Sequence, residues 1–198
     1  ELHAEGELCL KLEVPAAHDG VAMRALELAY LPGDFTQTNW VVNAALLARA
    51  LDWLRPRNDE IAVDLFAGIG NFSLPLALHA KSVLALEGDS AMVERILANA
   101  GRNGVGNISA KALNLTAGEV ALPKLDIALV DPPRAGAKTV CVALARSKVK
   151  RLVYISCDPA TLARDLQRLP SLRLTAVQAF DLFPQTTHVE TVAVLEPA

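Results

Sequence analysis

Cys157 and Glu190 are residue types that can combine covalent and proton-transfer chemistry. Cys157 lies in RLVYISCDPATLARD, residues 151–165. Arg151 to Ser156 reads as a short buried strand, β-branched and aromatic, and Asp158-Pro159 stops it. Ala160 to Leu169 reads as a helix. The sulfur then sits in the tight turn between strand and helix. Amide groups at a helix start stabilise negative charge, so this thiol is expected to have a lowered pKa and to act as a nucleophile. Most unpaired cysteines are small buried hydrophobes, so the assignment needs suitable neighbours.

Three further turns supply them. Asp64-Leu-Phe-Ala-Gly68-Ile-Gly70-Asn71-Phe72 follows an expected strand and opens a helix. Its glycines let a ligand approach the backbone at the carboxyl edge of a sheet. A dinucleotide fingerprint would place a third glycine where Ser73 stands, which disfavours NAD. Glu87 ends the next strand, where a carboxylate typically holds ribose hydroxyls. These features read as an adenosine site without a strong pyrophosphate cradle, and S-adenosylmethionine has an adenosine and no phosphates. Asp131-Pro-Pro-Arg134 ends another strand, and its prolines make a stiff loop suited to a substrate base. Glu190 closes Pro184-Gln-Thr-Thr-His188-Val-Glu190, and a carboxylate in a cleft can serve as general base. His188 is read as a satisfied loop histidine.

The elements that must position these groups alternate. IAVDLFA, KSVLALE, NISAKAL, LDIALVD and RLVYISC are strands. Helices are expected over Asn71–His79, Ser90–Asn103 and around Lys138–Ser147. This is the rhythm of parallel βαβ units with helices on both faces. LRLTAVQAFDLF and HVETVAVLE are separated only by Pro184 to Thr187, too short for a crossover, so they are expected to be antiparallel. The last strand then starts at the edge where the parallel strands end, bringing Glu190 near Cys157, Asp131 and Gly68. Upstream, WVVNAALLARALDWL is a long apolar helix that Thr36, Thr38 or Asn39 can cap. Residues 1–34 hold two strand-like stretches, Leu8–Val14 and Leu26–Leu31, and read as the remnant of an upstream domain or an appendage.

With 198 residues and 52% hydrophobic content, the chain can fill one domain. No apolar run reaches the ~18 residues of a membrane span, and nothing resembles a signal peptide. Cys9, Cys141 and Cys157 are far apart, with no metal-ligand spacing, as in a reducing cytoplasm. The net charge of −3 does not suggest a nucleic-acid partner. Residues 131–173, however, carry nine Lys/Arg against three acids. That excess suits a polyanion or equally a set of solvated helix ends.

Taken together, these motifs resemble the S-adenosylmethionine-dependent RNA uracil-5-methyltransferases. The resemblance runs from about Leu31 to the C-terminus. It rests on Phe35-Thr-Gln37-Thr-Asn39, DLFAGIGNFSLPLA at 64–77, Glu87, DPPRAG at 131–136, SCDPATLARD at 156–165 and FPQTTHVE at 183–190, in that family's order. It implies a Rossmann-like class I methyltransferase domain over 35–198, α/β, with a mostly parallel seven-stranded sheet and an antiparallel last strand. It further implies that Gln37, Phe66, Gly68, Asn71, Glu87 and Asn114 contact S-adenosylmethionine. Asp131 would lie between cofactor and base, Arg134 would hold substrate, Cys157 would be the nucleophile and Glu190 the base. Ala67 and Asp158 stand where the family often has Cys and Asn. Asp158 would set a negative charge beside the thiol.

The implied reaction adds Cys157 to C6 of a uracil, which makes C5 electron-rich enough to take a methyl group. RNA is the expected partner, ribosomal before transfer RNA, in the cytoplasm, with no obligate protein partner and no membrane. No metal is expected in these residues. Many full-length members carry an N-terminal RNA-binding domain and an iron–sulfur cluster, so the chain is expected to be a catalytic-domain piece. The rival activities are tRNA uracil-5-methylation and amino-group methylation, since DPP loops also serve exocyclic amines. A nicotinamide dehydrogenase and a non-catalytic RNA-binding module are more distant alternatives.

Overall fold

The computed structural model describes residues 6–15 and 23–198. Residues 1–5 and 16–22 of the expected 1–34 unit lie outside the described residues.

A seven-stranded sheet forms the centre, in the order β5-β4-β3-β6-β7-β9-β8. Its strands are β3 (Ile61–Leu65), β4 (Ser82–Glu87), β5 (Ile108–Ala112), β6 (Ile127–Val130), β7 (Arg151–Ser156), β8 (Leu172–Phe180) and β9 (Glu190–Pro197). Strands β3 to β7 pair in parallel, and β9 runs antiparallel to both β7 and β8. The central strands β6 and β7 read as near-continuous apolar runs because both their faces are buried, whereas the edge strands β5 and β8 are largely exposed. Val153 and Ile155 pack on one side with Val192 and Val194, while Leu152 and Tyr154 pack on the other with Ala193 and Leu195.

Helix α1 (Trp40–Leu54) covers the first face with the hairpin β1 (Leu8–Pro15) and β2 (Met23–Tyr30). Asn39 is its cap, accepting from the Val42 amide at 3.3 Å. Arg55, in the left-handed region with φ 44°, closes it by donating to Leu51 O at 2.8 Å. Buried Leu12, Val14, Leu26 and Leu28 of the hairpin share one core with Leu46, Leu47 and Leu54 of α1. Helix α3 (Ser90–Arg102) anchors β2: Asn99 accepts from the Ala29 amide at 2.8 Å and donates back to Ala29 O at 3.1 Å. Helices α4 (Lys138–Ala145) and α5 (Pro159–Leu166) supply core side chains on the opposite face.

Several boundaries differ from the sequence reading. The helix expected over Asn71–His79 is one short turn, α2 (Ser73–Ala77). The residues before it are spent in the glycine turn, and Leu78 and His79 close back to Pro75 O and Leu76 O in tight turns. α4 ends at Ala145, and α5 starts at Pro159. β8 ends at Phe180, so its connection to β9 spans 181–189.

Asp165 of α5 is fully buried and ties this second face together. It accepts from the Ala137 amide at 2.6 Å, the Tyr154 hydroxyl at 2.8 Å and Arg168 at 3.0 Å. Arg164 donates to Ala135 O at 2.9 Å. The loop after β6 is thereby held against the helix that follows Cys157. Gly136 makes this approach possible: its φ is +85°, and a Cβ there would collide with Asp165 Oδ2 and Thr161 Cγ2. Gly136→Ala is expected to cost about 2–4 kcal/mol, read as a lowered denaturant midpoint.

Candidate functional site

Between β3 and β6 the chain reverses its direction of travel across the sheet, and a crevice opens there at the carboxyl ends of the strands. It is a cavity of about 740 Å³. Gln37, Phe66, Gly68, Asn71 and Glu87 line it together with Asn114, Asp131, Arg134, Cys157 and Glu190. All ten residues singled out in the sequence thus share one wall system, and their roles are taken up below.

The glycine turn forms the floor. Phe66 has φ 66°, Gly68 φ 56° and Gly70 φ 96°, so the chain leaves β3 with every second residue in a positive-φ conformation. A Cβ at Gly70 would strike Leu74 Cδ1 at 2.6 Å. Glu87 draws the turn in: its carboxylate accepts from the Gly68 amide at 2.9 Å, the Gly88 amide at 2.6 Å and the Asp89 amide at 3.1 Å. Asp64, 0% exposed, accepts from the Ser73 hydroxyl at 2.5 Å, and burial pushes it up to about 7. This gives a reason for serine at the position where a dinucleotide site would have glycine.

Two amide residues that the sequence reading passed over hold the turn. Asn43, buried on α1, exchanges two hydrogen bonds with Asn71, at 2.9 and 3.1 Å. Asn99 donates to Ile69 O at 3.0 Å. The available signal was an asparagine on the apolar face of each amphipathic helix. Asn114 builds its own loop, its side-chain oxygen accepting from the Thr116 and Ala117 amides at 3.0 and 3.1 Å. Gln37 is 9% exposed, and its Oε1 has no hydrogen-bond partner in the protein. A buried carbonyl without a donor costs about 1–3 kcal/mol, so a ligand donor in the cavity would be well received.

Strand pairing sets the other wall. Ser156 of β7 pairs with Thr191 of β9, so Cys157 and Glu190 occupy the next register position. Glu190 is 4% exposed, and burial raises it to about 7. Asp131 follows β6; burial and then the Glu190 charge push it up to about 7 as well, although part of its surface faces the cavity.

Cys157 is half-buried, and the expected lowering of its pKa is not found. Burial pushes the thiol up, and Glu190 adds to this. Arg134 and a backbone hydrogen bond oppose them, and Asp131 adds a further push upward. The helix start offers little help because its amides are already used. Pro159 has no N–H, and the Asp158 side chain accepts from the Thr161 amide at 2.7 Å. The Asp158 carboxylate is therefore a helix cap, and that bond lowers its own pKa.

The basic stretch does not form one surface at the cavity. Arg151 stands at the amino end of β7, where it pairs with Glu60 at 2.5 Å and donates to Leu54 O at 2.7 Å. Lys150 pairs with Asp126 at 3.0 Å, Arg146 with Glu119 at 3.3 Å, and Arg168 with Asp165 at 3.0 Å. Chain that crosses the sheet from edge to edge carries its charges to both edges, and Arg134 is the member of the stretch that reaches the cavity. His188 is more engaged than a plain loop residue, since its Nε2 accepts from Arg134 at 2.9 Å.

An iron–sulfur cluster does not fit the cysteines present. Cys9 is exposed on β1, Cys141 is buried in α4, and Cys157 lines the cavity. Among the described residues no helix is long and apolar enough to cross a membrane.

The profile of the tRNA (Uracil-5-)-methyltransferase family matches residues 6–197. The 23S rRNA (uracil(1939)-C(5))-methyltransferase RlmD of Pseudomonas putida is 49% identical over 190 residues, 92% of this chain and 42% of that protein. RlmD of Pseudomonas fluorescens is 45% identical over 201 residues, 98% of this chain and 44% of that protein. Among solved structures, the Pyrococcus abyssi tRNA (uracil-54, C5)-methyltransferase in complex with S-adenosyl-L-homocysteine has a TM-score of 0.77 and 31% identity. It is covered over 86% of this chain and 42% of that one. The chain spans less than half the length of these relatives. With a glycine turn, a DPPR loop and a Cys–Glu pair around one crevice, and a family profile matching nearly its whole length, this chain belongs to the tRNA (Uracil-5-)-methyltransferase family.

Proposed function

We propose that the protein methylates C5 of a uridine in RNA, 23S ribosomal RNA before transfer RNA, through a covalent bond from Cys157 to uracil C6. The observation that carries this reading is the register of β7 and β9, which sets a thiol beside a carboxylate on the cavity that the glycine turn floors. Ribosomal RNA is favoured because the RlmD relatives are 49% and 45% identical, against 31% for the tRNA enzyme. The reading carries with it a cytoplasmic location and an N-terminal portion outside this sequence, with residues 1–34 as its junction to the catalytic domain.

S-adenosylmethionine, when bound, supplies an electrophilic methyl group on a sulfonium. The residues present fit it. Gln37 Oε1 offers an unused acceptor, Glu87 stands at the end of β4 where ribose hydroxyls are held, and Phe66 and Asn71 line the space between. Asp131 and Arg134 flank the reacting edge of the base.

Cys157 adds as thiolate to C6, and the C5–C6 electron pair moves through C5 and C4 onto the C4 carbonyl oxygen, giving an enolate. C5 becomes nucleophilic and takes the methyl. Glu190 then removes the remaining C5 proton, the C5–C6 double bond reforms, and the C6–S bond breaks to return the thiolate. Burial that raises Glu190 to about 7 gives a base matched to neutral pH. A uracil in folded RNA must leave its stack to reach the sulfur.

Cys157→Ala is expected to abolish methylation while S-adenosylmethionine still binds by calorimetry; retained turnover would refute the nucleophile. Glu190→Gln is expected to accumulate a protein–RNA adduct on a denaturing gel. Turnover at the parent rate with no such species would remove the base role.

Glu190 also gives a stability test. The native carboxyl holds its proton to about pH 7 and the unfolded one only to 4.5, so the folded state binds the extra proton between these values. That contribution is fully present below 4.5 and is lost as pH rises through 7. Glu190→Gln removes the loss. Urea melts should show a gain of about 3 kcal/mol in alkaline buffer and almost none below the unfolded value.

A further inference from the structure

Arg134 and His188 come from loops distant in sequence, after β6 and before β9, yet Arg134 Nη2 donates to His188 Nε2 at 2.9 Å. Among the described residues, Arg134 is the only Lys or Arg lining the cavity. It is exposed, and an unrestrained guanidinium on a long exposed stem samples many rotamers. The imidazole restricts it from one side. His188 is itself held: its amide donates to Thr186 Oγ1 at 3.2 Å, and its ring meets Phe183 edge to face, 6.3 Å between centroids. To accept from a guanidinium, Nε2 must lack a hydrogen, so the neutral ring carries its proton on Nδ1. The charged groups acting on Cys157 are Glu190 from β9, with Asp131 and Arg134 from the loop after β6. Two carboxylates oppose a thiolate, and one cation favours it.

We propose that His188 is a positioning residue that pins the Arg134 guanidinium at the cavity mouth, where its charge favours the Cys157 thiolate. This deepens the reading of Cys157 as nucleophile and rests on it. The experiment reads the sulfur directly, without RNA or methyl donor, so its failure is separate from that of the methylation assay.

Iodoacetamide labelling of Cys157 is followed from neutral to alkaline pH at low ionic strength, with peptide mass spectrometry separating it from the exposed Cys9. His188→Ala is expected to slow labelling at neutral pH about threefold and to move the profile to higher pH. Arg134→Gln should do the same, and the double variant should be no slower than Arg134→Gln alone. His188→Gln, which keeps an acceptor, should restore the rate, and high salt should shrink the differences. A role limited to holding the fold would lower the melting temperature and leave the pH profile in place. Parent-rate labelling in His188→Ala, or a double variant slower than Arg134→Gln, would overturn the proposal. So would parent-rate labelling in Arg134→Gln, or a His188→Gln variant as slow as His188→Ala.

Discussion

Across the antiparallel seam of β7 and β9, Leu152 faces Leu195 and Ser156 faces Thr191. Continued by one position, that register joins Cys157 to Glu190. A slip of one residue would turn every side chain of β9 to the other face. Here both faces are packed: Val192 and Val194 belong to the core under α1, and Ala193 and Leu195 to the core under α4. The hydrophobic burial that fixes the register therefore also fixes the distance between thiol and carboxylate. A single reversed strand among parallel neighbours is what lets residues from the end of β7 and the start of β9 meet at the ligand edge.

Buried polar groups do the corresponding work for the turns. A parallel sheet places its loops at the correct edge but leaves their conformations free. Asp165 removes that freedom for the loop after β6, gathering the Ala137 amide and the Tyr154 hydroxyl at 2.6 and 2.8 Å. Asn43 and Asn99 do so for the glycine turn, the first through Asn71 and the second through Ile69 O. A buried polar atom left unpaired is costly, so each of these contacts is effectively obligatory. The Asp131 and Arg134 segment and the Cys157 turn are thus both fastened to α5, one by Asp165 and one by chain continuity.

The strands, their order of appearance and the reversed last pair were legible because hydrophobic runs of strand length punctuated by Gly, Pro and Asp leave few topologies. The cavity was legible for a related reason: residues that end strands in such a sheet converge on one edge. What escaped the sequence was tertiary. Asn43 and Asn99 are not singled out by the sequence, because their partners lie on other elements. The thiol was expected to be acidified by the helix behind it, but Asp158 and Pro159 had already taken that helix's capacity to stabilise charge. Nor could a local count of basic residues show that Arg151 would pair with Glu60 at the far edge of the sheet.

The electrostatics of the pocket look unfavourable for a nucleophile until the order of events is considered. Burial raises the pKa of Cys157, Glu190 and Asp131 alike, and the acids oppose a thiolate beside them. In the proposed cycle, adding sulfur to C6 moves its negative charge onto the uracil ring and away from Glu190. Like-charge repulsion therefore favours the adduct over the free thiolate. The thiolate reappears only at the elimination step, when Glu190 has taken the C5 proton and become neutral. The two negative charges stand side by side only before addition; forming the adduct relieves them at the first step, and the proton taken by Glu190 does so at the second. A carboxyl that titrates near neutrality suits that alternation, because it is a stronger base for the C5 proton than an ordinary surface glutamate and holds that proton better while the sulfur departs.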